Sequence, residues 1–138
     1  MLRGLTTVNH FAADVPAAVR WYTEVFGVQP YFEKDFAGQL AYVEFRIGDY
    51  QHEFGILDSR YAPHPISEQP SGTMTYWAVD DVEDAFTRLL ALGATEHAKP
   101  TEHGPGFVTA SVVDPFGNVL GVMFNQHYLD MVRLIKGE

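Results

Sequence analysis

A chain of 138 residues, 46% hydrophobic and 14% aromatic, is long enough to bury one core and too apolar for a disordered segment. Zero cysteines exclude disulfides, thiolate metal centres and cysteine nucleophiles together. Eighteen acidic against nine basic side chains give a net charge of −9, which argues against nucleic acid and membrane partners and favours neutral or cationic ligands. No run approaches the ~18 apolar residues of a membrane span. Met1–Gly4 opens no apolar leader, so a cytoplasmic protein is expected.

In chain order, Thr6–Ala12 reads as a strand leading to Asp14, a helix N-cap, and Pro16 in the first helical turn. Val15, Val19, Tyr22 and Phe26 recur at helical spacing, and Gly27 supplies the left-handed end. Val28–Phe32 is expected as a second strand. Ala41–Ile47 and Tyr50–Ile56 flank Gly48-Asp49 as a hairpin. With a two-residue loop, Ile47 pairs with Tyr50, Arg46 with Gln51, Glu44 with Glu53 and Tyr42 with Gly55. Asp58–Gly72, carrying Pro63, Pro65 and Pro70, reads as a connector.

The pattern then returns. Met74–Val79 is strand-like, Asp81 caps a helix over Glu83–Leu92, and Gly93 closes it. Ala94–His97 is the next strand, and Phe107–Val113 and Asn118–Phe124 flank Asp114-Pro115-Phe116-Gly117. Asp14 and Asp81 lie 81 − 14 = 67 apart, and Ala18 and Ala85 keep that offset. The expected fold class is α+β: one domain over 1–138, with module one at about 5–57, a connector at 58–72, module two at about 73–125 and a tail at 126–138. Tyr128–Ile135 in that tail is a short amphipathic helix that serves either its own domain or a partner.

Two βαβββ modules, with the runs Asp14–Gly27, Val79–Ala94 and Asp114–Val122, resemble the glyoxalase/bleomycin-resistance/dioxygenase (vicinal oxygen chelate) superfamily over roughly Leu5 to Asn125. The resemblance implies a half-barrel of two tandem modules around a concave site, and a homodimer. It spans metal-dependent lyases, isomerases, epimerases and dioxygenases, and also proteins that sequester antibiotics.

The family's metal ligands are His, Glu or Gln, one on the first and one on the last strand of each module. Seven residues before the capping aspartates stand Thr7 and Met74, and three after Asn118 stands Gly121. The module-one counterpart, 121 − 68 = 53, is Glu53. A hydroxyl, a thioether and a missing side chain are poor company for one carboxylate, so no metal and no other cofactor is expected. Strand alternation turns His10 and His52 away from the concave face, and His64, His97, His103 and His127 fall in loops or the tail.

The same alternation lines the concave face with Thr7, Asn9, Phe11, Tyr42, Glu44, Arg46, Gln51 and Glu53 from module one. Module two adds Met74, Tyr76, Gly121 and Met123. Opposed Glu44 and Glu53 call for a cation between them, which is either Arg46 or a ligand, or else share a proton. Gly55 and Gly121 are expected to leave room at the centre, and Thr101–Gly106 to form a loop above it. The function expected is binding of a small organic ligand, cationic and aromatic, in the manner of bleomycin-resistance proteins. The alternative is a lyase, isomerase or dioxygenase, metal-dependent or metal-free, in which Glu53 is catalytic.

Overall fold

The computed structural model describes residues 1–138, in two compact units, Met1–Glu68 and Gln69–Glu138. The division falls inside the connector at 58–72.

The first unit runs β1 (Thr7–Ala12), α1 (Val15–Phe26), β2 (Phe32–Phe36), β3 (Gln39–Ile47) and β4 (His52–Asp58), followed by a single 3-10 turn at Ser59–Tyr61. Its strands form one sheet in the order β1-β4-β3-β2, with β1 parallel to β4 and the rest antiparallel. Asp14 caps α1 by accepting from the Ala17 amide at 3.0 Å, and Gly27 ends it at φ 71°. α1 buries Val15, Ala18 and Tyr22 on one side of the sheet, where Val43, Phe45, Phe54 and Ile56 are fully buried. His10 belongs to this core: its Nδ1 lies 2.7 Å from the Tyr22 hydroxyl and its ring stands edge-on to Phe54.

The second unit repeats the plan with β5 (Tyr76–Ala78), α2 (Val82–Ala91), β6 (Thr95–Gly104), β7 (Phe107–Val113), β8 (Val119–Asn125) and a terminal α3 (Gln126–Lys136). The sheet order is β5-β8-β7-β6, with β5 parallel to β8. Asp81 caps α2 through the Asp84 amide at 3.0 Å. Val82, Phe86 and Leu89 are buried, as are Ala110, Val112, Leu120 and Val122 of the sheet. Buried Asp114 ties the β7–β8 turn by accepting from the Phe116 and Asn118 amides, both at 2.8 Å.

Several local expectations are corrected. The second strand begins at Phe32 instead of Val28, and β5 is only three residues long, so Met74 precedes it. Thr101–Gly104 continues β6, which pairs with β7 and turns at Pro105-Gly106, so both His97 and His103 are strand residues. The β3–β4 loop has four residues, because the Gln51 amide closes onto the Gly48 carbonyl at 3.1 Å, with Gly48 at φ 76° and Gln51 at φ 54°. The register moves by two: Arg46 faces Glu53, Glu44 faces Gly55 and Tyr42 faces Leu57. A shift of two preserves which face each side chain takes but changes every partner.

Gly55 and Gly121, expected to leave space, leave no room. A Cβ on Gly121 would stand 2.7 Å from the Thr75 carbonyl oxygen and 2.7 Å from Cδ1 of Tyr76. One on Gly55 would stand 2.6 Å from the Tyr42 hydroxyl, with Asn9 pressing from the other side. Gly121→Ala should therefore lower stability by about 1–3 kcal/mol, seen in thermal melting. Adding Tyr76→Ala should restore only part of the loss, because the Thr75 backbone remains.

Candidate functional site

Each sheet has one face under its helix and one face open. Because β1 and β4 are parallel and β3 is antiparallel to β4, the open face of the first unit is ruled into rows. The first row is Thr7, Glu53 and Arg46. The second is Asn9, Gly55 and Glu44, extended by Phe32 of β2. The third is Phe11, Leu57 and Tyr42, extended by Lys34.

In the first row Glu53 is fully engaged. Thr7 Oγ1 donates to its Oε2 at 2.6 Å, and Arg46 Nη2 bridges to its Oε1 at 2.9 Å. The Thr7 hydroxyl, with help from Arg46, holds the Glu53 carboxyl below the usual carboxylate range. Arg46 also lies over the Tyr31 ring, 4.9 Å from its centroid.

Glu44 has a different environment. Tyr31 donates its hydroxyl to Oε2, and Tyr42 donates to Oε1 at 2.6 Å, so each carboxylate oxygen takes one phenol. Both phenols titrate above their ordinary value, Tyr31 chiefly through its bond to Glu44 and Tyr42 chiefly through burial. They stay protonated, and keep donating, across the neutral range. The expected direct opposition of Glu44 and Glu53 is absent: the four-residue loop places Arg46 across from Glu53 and Gly55 across from Glu44. Gln51 lies in the turn, where its side chain donates to the Gly48 carbonyl at 2.9 Å.

On the open face of the second unit, Tyr76, Gly121 and Ser111 form one row, and Ala78, Met123 and Thr109 the next. Two imidazoles of β6 reach these rows. His97 Nδ1 is 2.7 Å from the buried Ser111 hydroxyl, and His103 Nε2 is 2.7 Å from that of Thr109. Met74 lies outside the rows and is partly exposed. Sequence reasoning missed Tyr31, Phe32, Lys34 and Leu57 in the first unit, and Ala78, His97, His103, Thr109 and Ser111 in the second. The signal for Ser111 and Thr109 was present, since they alternate opposite Gly121 and Met123 across the Asp114–Gly117 turn. The signal for Tyr31 was lost with the misplaced second strand.

The registers also correct the inherited ligand positions. With Asp14 and Asp81 as common origin, the pair Asn9–Gly55 coincides with the pair Tyr76–Gly121. Gly55, not Glu53, is thus the counterpart of Gly121, and both last-strand positions lack a side chain. The remaining two are Thr7, already bonded to Glu53, and the thioether of Met74. This donor set does not fit a divalent ion. Nor do any three His, Asp or Glu side chains gather elsewhere in a way that could hold one.

The Glu53 environment predicts a pH signature. A carboxyl depressed in the folded state contributes stability above the ordinary glutamate pKa and loses it as pH falls through the folded value. Glu53→Gln should lower the melting temperature at pH 7, and the difference from the parent should shrink steadily as the pH is taken into the acid range. A gap that stays constant with pH would assign its effect to packing alone.

None of the curated proteins matches the chain in sequence. Among solved structures, a glyoxalase-related enzyme from Fulvimarina pelagi superposes with a TM-score of 0.71 at 18% identity, covering 91% of this chain and 90% of that one. A lactoylglutathione lyase from Agrobacterium tumefaciens gives 0.63 at 20% identity, covering 88% and 93%. A fosfomycin resistance protein from Listeria monocytogenes, complexed with Mn(II) and a dihydroxypropylphosphonic acid, gives 0.69 at 12% identity, covering 91% and 92%. These likenesses are likenesses of fold. Residues 4–122 match the sequence profile of one family, and the paired βαβββ units carry its architecture: the chain belongs to the Glyoxalase/Bleomycin resistance protein/Dioxygenase superfamily.

Proposed function

We propose that this chain is a small-molecule-binding member of its superfamily, akin to the bleomycin-resistance type, which holds an organic cation bearing a flat ring and works without the family metal. The observation that carries this reading is the Glu44 carboxylate. It sits on the open face of the first unit, each oxygen fixed by a phenol, while Arg46, the cation in the next row, is committed to Glu53. Phe32, half exposed, extends the same row, and Phe11 and Tyr42 follow in the row beyond. A fixed carboxylate among aromatic faces suits a cationic ring system, each cation–π contact adding about 0.5–2 kcal/mol with desolvation. The net charge of −9 speeds the encounter and makes it sensitive to salt.

The catalytic alternative loses its main candidate. A general base should be poised near the working pH, whereas Glu53 is held ionised by Thr7 and Arg46 and is correspondingly weak.

Calorimetric titration with ethidium, together with tryptophan fluorescence, tests the reading. Binding should weaken about tenfold in Glu44→Gln, a loss of about 1.4 kcal/mol. It should tighten in Lys34→Gln, because Lys34 is the uncommitted cation on this face, in the row beside Glu44. Absence of binding, or affinity indifferent to Glu44→Gln and to salt, would remove the proposal.

A further inference from the structure

The open face of the first unit has a corner of rings around one carboxylate. Phe32 stands across from Glu44 in the second row, and Tyr42 leans into that row from the third: a Cβ on Gly55 would lie 2.8 Å from Cε1 of its ring. The Phe32 and Tyr42 rings are 6.3 Å apart, centre to centre, with 62° between their planes, so they meet as floor and wall. Tyr31 is fixed beside them twice. Its amide donates to the Glu44 carbonyl at 3.0 Å, and its hydroxyl donates to the Glu44 carboxylate. The Tyr31 ring already carries the Arg46 guanidinium, so this cluster accepts a cation on an aromatic face.

The corner is rich in rings and poor in spare acceptors. Both oxygens of Glu44 accept a phenol, and both phenols keep their protons through the neutral range. Its neighbours in the row, Gly55 and Phe32, have no side-chain acceptor, and Asn9 stands one strand further. An ammonium with three N–H donors gives up water on entering and must find three acceptors in its place. Here it would share oxygens that already hold a proton donor. An ammonium without N–H bonds has no donor to satisfy. Its charge is spread over alkyl groups, and the carboxylate and the ring faces attract it without hydrogen bonds.

Resting on the reading of this face as a cation site, we propose that the site selects a fully alkylated ammonium, held by charge at Glu44 and by the faces of Phe32 and Tyr42, over an ammonium bearing N–H bonds. Benzyltrimethylammonium and benzylammonium carry the same ring and the same charge. Titrated separately into the full isotope-labelled chain and followed by amide NMR shifts, the first should bind at least about fivefold more tightly. Phe32→Leu, at a half-exposed position on the edge strand, removes a ring face and should erase most of that preference, with the fold intact by circular dichroism. Tyr31→Phe keeps the ring but frees one Glu44 oxygen, so benzylammonium should gain on the trimethylated probe and the ratio should fall about twofold or more. A purely structural role would move both affinities together and leave the ratio standing. Equal affinities, a preference for benzylammonium, no binding of either probe, or a ratio indifferent to both variants would overturn the selectivity, while Glu44-dependent binding of ethidium would leave the cation reading standing. Loss of ethidium binding as well would remove both.

Discussion

The open face of the first unit depends on one pairing, the parallel alignment of β1 with β4 that sets Thr7 beside Glu53 and Asn9 beside Gly55. Neighbouring strands keep side chains level across the sheet, so this alignment and the β3–β4 register together decide which groups meet. The four-residue loop brings Arg46 to Glu53 and leaves Glu44 to the phenols. The helix side of the same strands carries Val43, Phe45, Phe54 and Ile56 beneath Tyr22 of α1, and a slip of one residue in either strand would turn its buried apolar pair to the open face. The core thus holds the register, and the register composes the site.

Legibility in the sequence follows the strength of the physical signal. α1 and α2 were readable because a capping aspartate, a helical stripe and a closing glycine agree at Asp14, Val15–Phe26 and Gly27, and again at Asp81 and Gly93. The superfamily and its tandem modules were readable for the same reason, since whole phrases repeat at a fixed offset. Pairing partners were not. Gly48-Asp49 suggests the shortest loop, and nothing local announces that Gln51 takes a left-handed backbone and lengthens it by two. The bulged edge strands were the hardest to read: β2 is exposed throughout and β6 nearly so, which removes the alternation that reveals a strand.

Those edges show how the fold guards its unpaired backbone. β6 is ten residues long, yet it carries Glu96, Lys99, Pro100 and Glu102 and breaks register with β7 at three places. β2 is short, bulged between Lys34 and Asp35, and charged at three successive positions. Charge, proline and irregularity discourage another strand from adding on.

The filled glycine positions bear on how such a protein could change its chemistry. At Gly121 the volume that a metal-binding side chain would need is held by the Tyr76 ring and the Thr75 carbonyl, and at Gly55 by Tyr42 and Asn9. A single codon change at either glycine produces a clash before it produces a ligand. Placing a ligand side chain at either position would require at least paired substitutions, the first of them costly alone, so the aromatic filling acts as a barrier in sequence space.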